Sequence, residues 1–444
     1  MQKKRFQYIL PISIIVIVGI ISMYLTESNT PPELTPVKVE LVNEQDKFVL
    51  YRDGKPFYIK GAGLSEGKMK SLAEHGANSF RTWSVNNGLK SGKEILDEAH
   101  KLGLMVCMGI DVGNERFGFD YNNEKAVKNQ LERIREEVSE LKDHPSLLIW
   151  GIGNELNLKY ENIKVWDAVN EIAAMIHEID PNHPTTTMLS AGSIKEDVNQ
   201  VMKLCPEIDF LSFQAYGKLN ELPELIDESD YDGAYIVSEW GTTGHWEVDR
   251  TSWDRPIEET THEKAKAFKE RYENIILKES DRCFGSFVFL WGQKQERTPT
   301  WYGLFLENGE ETEGVDVMHY LWNNEWPENR SPQLQSFSLK GQNAHASIKL
   351  TSGLEYTAEV KAIDPDGDPM SYRWCIRHEV KREKQSEGGD FEQKAPIVME
   401  YSKSEFIDQF VFEAPEPGEY RLFVYASDGK GHAGTANIPF LVIN

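Results

Sequence analysis

Between residues 57 and 323 the chain alternates between short apolar runs and longer amphipathic stretches. The apolar runs lie near residues 57–62, 78–83, 104–110, 146–152, 184–188, 208–214, 234–239 and 285–291. They are nearly continuous in hydrophobic, often β-branched residues, which is the pattern of strands covered on both faces. Between them, helix-like stretches fall near 65–75, 90–102, 124–142, 161–178, 194–204, 220–228 and 257–278, and a last one near 314–323. Ile95, Leu96, Ala99 and Leu102 form an apolar stripe at helical spacing, as do Ala126, Val127, Leu131, Ile134, Val138 and Leu141. Eight strand–helix units predict an α/β fold of the (β/α)8, or TIM barrel, type.

The flanks have other textures. Residues 47–51 and 56–60 alternate around Asp53-Gly54, a hairpin signal. From Ser331 the helical period disappears, and short alternating runs such as Phe337-x-Leu339, Tyr372-x-Trp374-x-Ile376 and Tyr420-x-Leu422-x-Val424 take over. These predict a C-terminal immunoglobulin-like β-sandwich over 331–444, with residues 380–394 as a solvated loop. At the other end, Lys3, Lys4 and Arg5 precede an apolar stretch over residues 6–25. A helix needs about 20 residues to span a bilayer, and no small-x-small cleavage site follows the stretch. The expectation is an uncleaved transmembrane helix over 1–25, with the rest of the chain extracytoplasmic; the alternative is secretion after signal cleavage. Residues 26–37 read as a Pro-rich tether, and 38–328 as the hairpin plus barrel.

The formal charge of -24 argues against nucleic acid as a partner. Cys107, Cys205, Cys283 and Cys375 form no CxxC pair or metal-like cluster and are expected to be buried free thiols. Nothing calls for a cofactor or a catalytic metal, and oligomeric state is unreadable.

The candidate chemistry sits at two strand ends. The fourth apolar run closes on Asn154-Glu155, and the seventh on Ser238-Glu239-Trp240-Gly241. In a parallel barrel both tips reach the same C-terminal mouth, and a facing pair of carboxylates is what glycosidic bond cleavage requires. Trp83, Trp240, Trp246 and Trp301 are equally candidates for substrate walls and for core, and Asp111 is left outside the catalytic set.

Arg81-Thr82-Trp83, His144-Pro145-Ser146 through Trp150 to Asn154-Glu155, and Ser238-Glu239-Trp240-Gly241 together resemble the retaining (β/α)8 glycosidase superfamily, clan A type, over roughly residues 40–325. The pattern is most similar to the barrel of glycoside hydrolase family two and to the β-1,3-glucanosyltransferases of family seventy-two. The resemblance implies that Glu155 is the acid/base and Glu239 the nucleophile, with Arg81 nearby favouring its ionised form. It further implies that Tyr216 hydrogen-bonds the nucleophile, that Asn154 binds the sugar 2-hydroxyl and that Trp291 floors the sugar subsite. Family two enzymes usually carry domains ahead of the barrel where this chain has a hairpin. The expectation therefore turns from β-galactosidase, β-glucuronidase and β-mannosidase activity toward a β-glucan or another β-linked oligo- or polysaccharide, with hydrolysis and transfer both open. The alternative is a catalytically silent glycan-binding or structural surface protein on the same scaffold. Finally, residues 362–369 with Tyr372 and Trp374 resemble the opening of polycystic-kidney-disease-type (PKD) or cadherin-like repeats. Asp364, Asp366 and Asp368 there offer oxygens of the kind calcium takes, although an Asp-Gly turn accounts for them without a metal.

Overall fold

Each of the eight apolar runs becomes a parallel strand of one closed barrel in the computed structural model, which describes residues 35–64, 67–380, 392–403 and 408–444. Strands one to eight are Ile59–Gly63, Ser79–Arg81, Met105–Ile110, Leu147–Asn154, Thr185–Ser190, Phe210–Gln214, Tyr235–Trp240 and Cys283–Val288. Each pairs with its sequence neighbours, and strand eight closes on strand one. Burial is near complete along them, as continuous apolar runs require.

The intervening helices turn their predicted stripes inward. Ile95, Leu96 and Ala99 of Gly92–Leu102 are buried, as are Ile134, Val138 and Leu141 of Glu124–Leu141. Two helices begin at full capping boxes, Ser91 with Glu94 and Thr260 with Glu263, which satisfy orphan N–H groups at each start. Thr260 explains why the seventh helix starts at Thr261 and not at residue 257.

The hairpin is present and extends to a three-stranded sheet, Val39–Glu44, Lys47–Arg52 and Lys55–Pro56. Its Asp53 and Gly54 take positive φ, 51° and 67°. Val39 and Leu50 join Ile59, Met105, Leu148, Phe210 and Phe284 in one cluster. The sheet therefore plugs the N-terminal end of the barrel, and the opposite end stays open for a site.

Beyond the barrel, eight strands form a three-stranded and a five-stranded sheet. The alternating apolar residues of both meet in one core, where Trp374 stacks on Phe410 with ring centroids 5.5 Å apart. These sheets are not a loosely tethered spacer, because residues 36–444 form one compact unit. Arg421 Nη2 donates to the Pro256 carbonyl at 2.9 Å, and Asn437 Nδ2 to Glu258 Oε2 at 2.6 Å. Lys264 Nζ lies 2.6 Å from Glu258 Oε1. Burial pushes the Glu258 carboxyl up, but Lys264, Thr298 and Arg421 together outweigh it and hold the group below its ordinary range. Asp364 Oδ1 accepts from the N–H of Asp366 and of Asp368, both at 3.0 Å, so the aspartate run does form a capped turn.

Among the described residues no helix is long and apolar enough to cross a membrane. The apolar stretch over residues 6–25 lies outside the described residues. All four cysteines are free and buried.

Candidate active site

The barrel ladder is irregular at both Glu-bearing strand ends. Pairing between strands four and five shifts register between Gly151 and Asn154, and pairing between strands seven and six shifts between Val237 and Glu239. Such irregularities re-aim side chains at barrel rims. Gly153 and Glu155 both take positive φ, 74° and 51°, and the Glu155 N–H donates to the Met188 carbonyl at 2.9 Å. Beyond strand seven, Gly241 passes so close to the next strand end that a Cβ there would sit 2.7 Å from the Phe289 carbonyl oxygen.

The carboxylates of Glu155 and Glu239 line one cleft of about 1190 Å³. Tyr216, two residues past strand six, donates its hydroxyl to Glu239 Oε1 at 2.6 Å. Burial, then the Glu239 charge, pushes this phenol well above its ordinary range and keeps it a donor. Arg81, at the end of strand two, places Nη1 3.5 Å from Glu239 Oε2 and 3.1 Å from the Ser238 carbonyl. Its Nη2 donates to Asn154 Oδ1 at 2.6 Å. Glu155 stands in a different environment. Burial, followed by the Glu239 charge, pushes its carboxyl up to about 7, against the pull of Arg116, Arg81 and Lys294. Arg116 Nη2 lies 3.7 Å from Glu155 Oε2.

Sequence reasoning missed Gln214, the last residue of strand six. One end of its side-chain amide is 3.0 Å from Glu155 Oε1, and the other is 2.7 Å from both Arg81 Nη1 and Asn154 Oδ1. Because a guanidinium only donates, the Gln214 carbonyl turns to Arg81 Nη1 and its NH2 donates to Glu155 Oε1. The signal was available: a polar residue closing an otherwise apolar barrel strand points to the mouth. Arg116, on the loop after strand three, carries no comparable signal.

Trp291 requires a correction. It does not floor the cleft: it is 1% exposed and packs in the barrel–helix core against His75, Phe305 and Trp322. Strand eight ends at Val288, and the Trp291 N–H turns back to the Gly63 carbonyl at 3.0 Å. Phe289 and Leu290 take the cleft wall instead. Of the four other candidate tryptophans, Trp83 and Trp246 line the cleft, whereas Trp240 and Trp301 are core. Asp111 is also on the lining. Tyr302, next to Tyr216, is oriented by His245 Nδ1 at 2.8 Å. Burial, then Arg297, Arg250 and Lys294, drives this imidazole down to about 3, so it is neutral.

A closed (β/α)8 barrel with two glutamates at its mouth is an arrangement that barrel glycosidases share, and the chain is similar to several such proteins. Residues 59–245, less than half of the chain, match the family "Glycosyl hydrolases family 2, TIM barrel domain". The chain is 22% identical to the beta-glucuronidase of Chlorocebus aethiops over 276 residues, 56% of this chain and 40% of that protein. It is 29% identical to the Mus musculus beta-glucuronidase over 149 residues, 29% of this chain and 22% of the relative. The chain thus spans about two fifths or less of these relatives' length. Its fold resembles that of the Bacteroides uniformis beta-glucuronidase, with a TM-score of 0.51 and 14% identity, covering 91% of this chain and 48% of the other.

Proposed function

We propose that this chain is a retaining glycosidase or transglycosylase acting on a β-linked glycan, with Glu239 as nucleophile and Glu155 as acid/base. The observation that carries this reading is the contrast between the two carboxylates in one cleft. Both oxygens of Glu239 accept hydrogen bonds from fixed donors, whereas Glu155 has a carboxyl pushed up to about 7. A carboxyl raised this far holds a proton near neutral pH and can give it up during the reaction.

In the first step a Glu239 oxygen bonds to the anomeric carbon as the bond to the leaving oxygen breaks, and the Glu155 proton passes to that oxygen. In the second step Glu155, now ionised, takes a proton from water or an acceptor hydroxyl, whose oxygen displaces Glu239 from the sugar. Asn154 gives its Oδ1 to Arg81, which leaves its NH2 for the sugar 2-hydroxyl. Tyr216 and Arg81 orient Glu239, and Gln214 joins Arg81 to Glu155.

A β-glucan is the favoured substrate class. The cleft lining supports a neutral sugar, because five carboxylates (Asp111, Glu155, Glu239, Glu247 and Glu296) face three cations, Arg116, Lys218 and Lys294. Arg116 is 3.7 Å from Glu155 and Lys294 is 2.7 Å from Glu296. A β-glucuronide is the second reading, favoured by the names of the relatives; its carboxylate would fall to Lys218, which donates to the Gly192 carbonyl. We also propose that the apolar N-terminal stretch anchors the enzyme with its cleft outside the cytoplasm, which fractionation of tagged full-length protein tests. The immunoglobulin-like, PKD-type identity of the C-terminal sheets likewise stays a proposal.

The test is incubation of residues 38–444 with β-glucans, mannans, galactans and β-glucuronides, with products followed by mass spectrometry. Glu155→Ala and Glu239→Ala proteins run alongside. Shortened or lengthened chains that vanish in both variants establish the reading. Binding without turnover would assign the scaffold to a silent glycan-binding role.

A further inference from the structure

The loop after strand three carries features that the two-glutamate reading does not use. Phe117 is 62% exposed and lines the cleft. The Arg116 guanidinium lies over its ring, 4.7 Å from the centroid. Arg116 Nε is shut off from water and has no hydrogen-bond partner among the described residues. Buried polar groups ordinarily find partners, and a ring left in water forgoes its burial contribution.

This is not a loose segment. Glu115 Oε2 accepts from the N–H of Glu161 at 2.8 Å and of Asn162 at 2.9 Å, which pins the turn to the loop beyond Glu155. Asn114 caps the turn by accepting the Arg116 N–H at 3.1 Å, and its Nδ2 reaches the Glu155 carbonyl at 3.5 Å. The exposed ring and the guanidinium are therefore held in place beside the acid/base, whereas Glu239 takes its hydrogen bond from Tyr216, whose ring meets Trp246 edge-on at 5.7 Å.

We propose that Arg116 and Phe117 form the subsite for the leaving sugar, which is also the subsite for an acceptor sugar in transfer. The inference rests on the glycosidase reading and deepens it. The oxygen that Glu155 protonates belongs to the departing sugar, so that sugar must lie against the elements around Glu155. An aromatic face takes the apolar face of a pyranose, and a guanidinium donates to its hydroxyls. Phe117 supplies the first and Arg116 the second. The occupant is a sugar ring, not an aliphatic or charged aglycone.

The experiment compares two substrate types that share a donor sugar. β-Glucosyl, galactosyl, mannosyl and glucuronosyl fluorides release fluoride and place no sugar in the subsite, whereas the matching β-linked trisaccharides fill it. For Phe117→Ala, the ratio of kcat/KM for trisaccharide to kcat/KM for fluoride falls about tenfold, mainly through KM. Phe117→Tyr restores the ratio. Phe117→Leu, which keeps bulk and lacks the ring, gives the same result as alanine and serves if the alanine protein is unstable. An unchanged ratio in a protein that still turns over fluoride overturns the subsite and leaves the glycosidase reading standing. Failure of the wild type on every fluoride and trisaccharide overturns both.

Discussion

Replacing Arg116 with methionine removes a positive charge from beside Glu155 while keeping a similar apolar stem. The separation is 3.7 Å, with side-chain exposures of only 13% and 20%. At that distance two unit charges interact by about 1 kcal/mol at the dielectric of water and about 4.5 kcal/mol at an effective value of about 20. One pH unit corresponds to about 1.36 kcal/mol, so the bracket is about 0.8 to 3 units. Water entering the vacated space favours the lower end, and we expect about one unit. The sign follows from charge. Arg116 favours ionised Glu155, and its loss favours the protonated acid. The basic limb of activity, expected near pH 7 in the wild type from the raised Glu155 carboxyl, should therefore move to higher pH in the variant.

The assay is kcat/KM against pH on an unactivated oligosaccharide, because an activated leaving group departs without a proton and hides the limb. Stability obeys the same linkage. A carboxyl raised in the folded state contributes stability that is fully present below its unfolded value and is lost as pH rises through its folded value. Thermal unfolding followed over the same range should show that loss displaced upward in the variant. A basic limb that stays put, or moves to lower pH, would refute the assignment of Arg116 and Glu155 as an interacting pair.

Tyr216→Phe leaves Glu239 Oε1 without its 2.6 Å donor; kcat/KM should fall about ten- to a hundredfold with the unfolding temperature nearly unchanged. Trp291→Ala should instead cost about 3–5 kcal/mol in denaturant unfolding while the folded fraction keeps its KM. A KM effect without lost stability would return Trp291 to the cleft. Lys264→Met leaves Glu258 buried opposite Thr298, Thr300 and Asn437 without its cation; the loss should be about 3–5 kcal/mol. Limited proteolysis should then release the C-terminal sheets more readily than from the wild type.

The barrel was legible because its evidence is local. Apolar runs and helical stripes repeat along the chain itself, and a parallel sheet covered on both faces needs that pattern wherever it occurs. Glu155 and Glu239 were legible for the same reason: each ends an apolar strand, and every strand end of one sense reaches one mouth. The tertiary structure decided what depends on angle and neighbour. Trp291 and Phe289 are two residues apart at the end of one apolar run, and only the stop of the strand at Val288 sends the first into the core and the second to the cleft. Gln214 meets Glu155 from strand six and Arg116 from the loop after strand three, across 59 and 39 positions of chain (214 − 155 and 155 − 116). The union of the C-terminal sheets with the barrel likewise rests on the bonds from Arg421 to Pro256 and from Asn437 to Glu258, which join positions 165 and 179 residues apart. Periodicity records which face of an element is buried; which charge stands beside which is set only when distant elements close on each other.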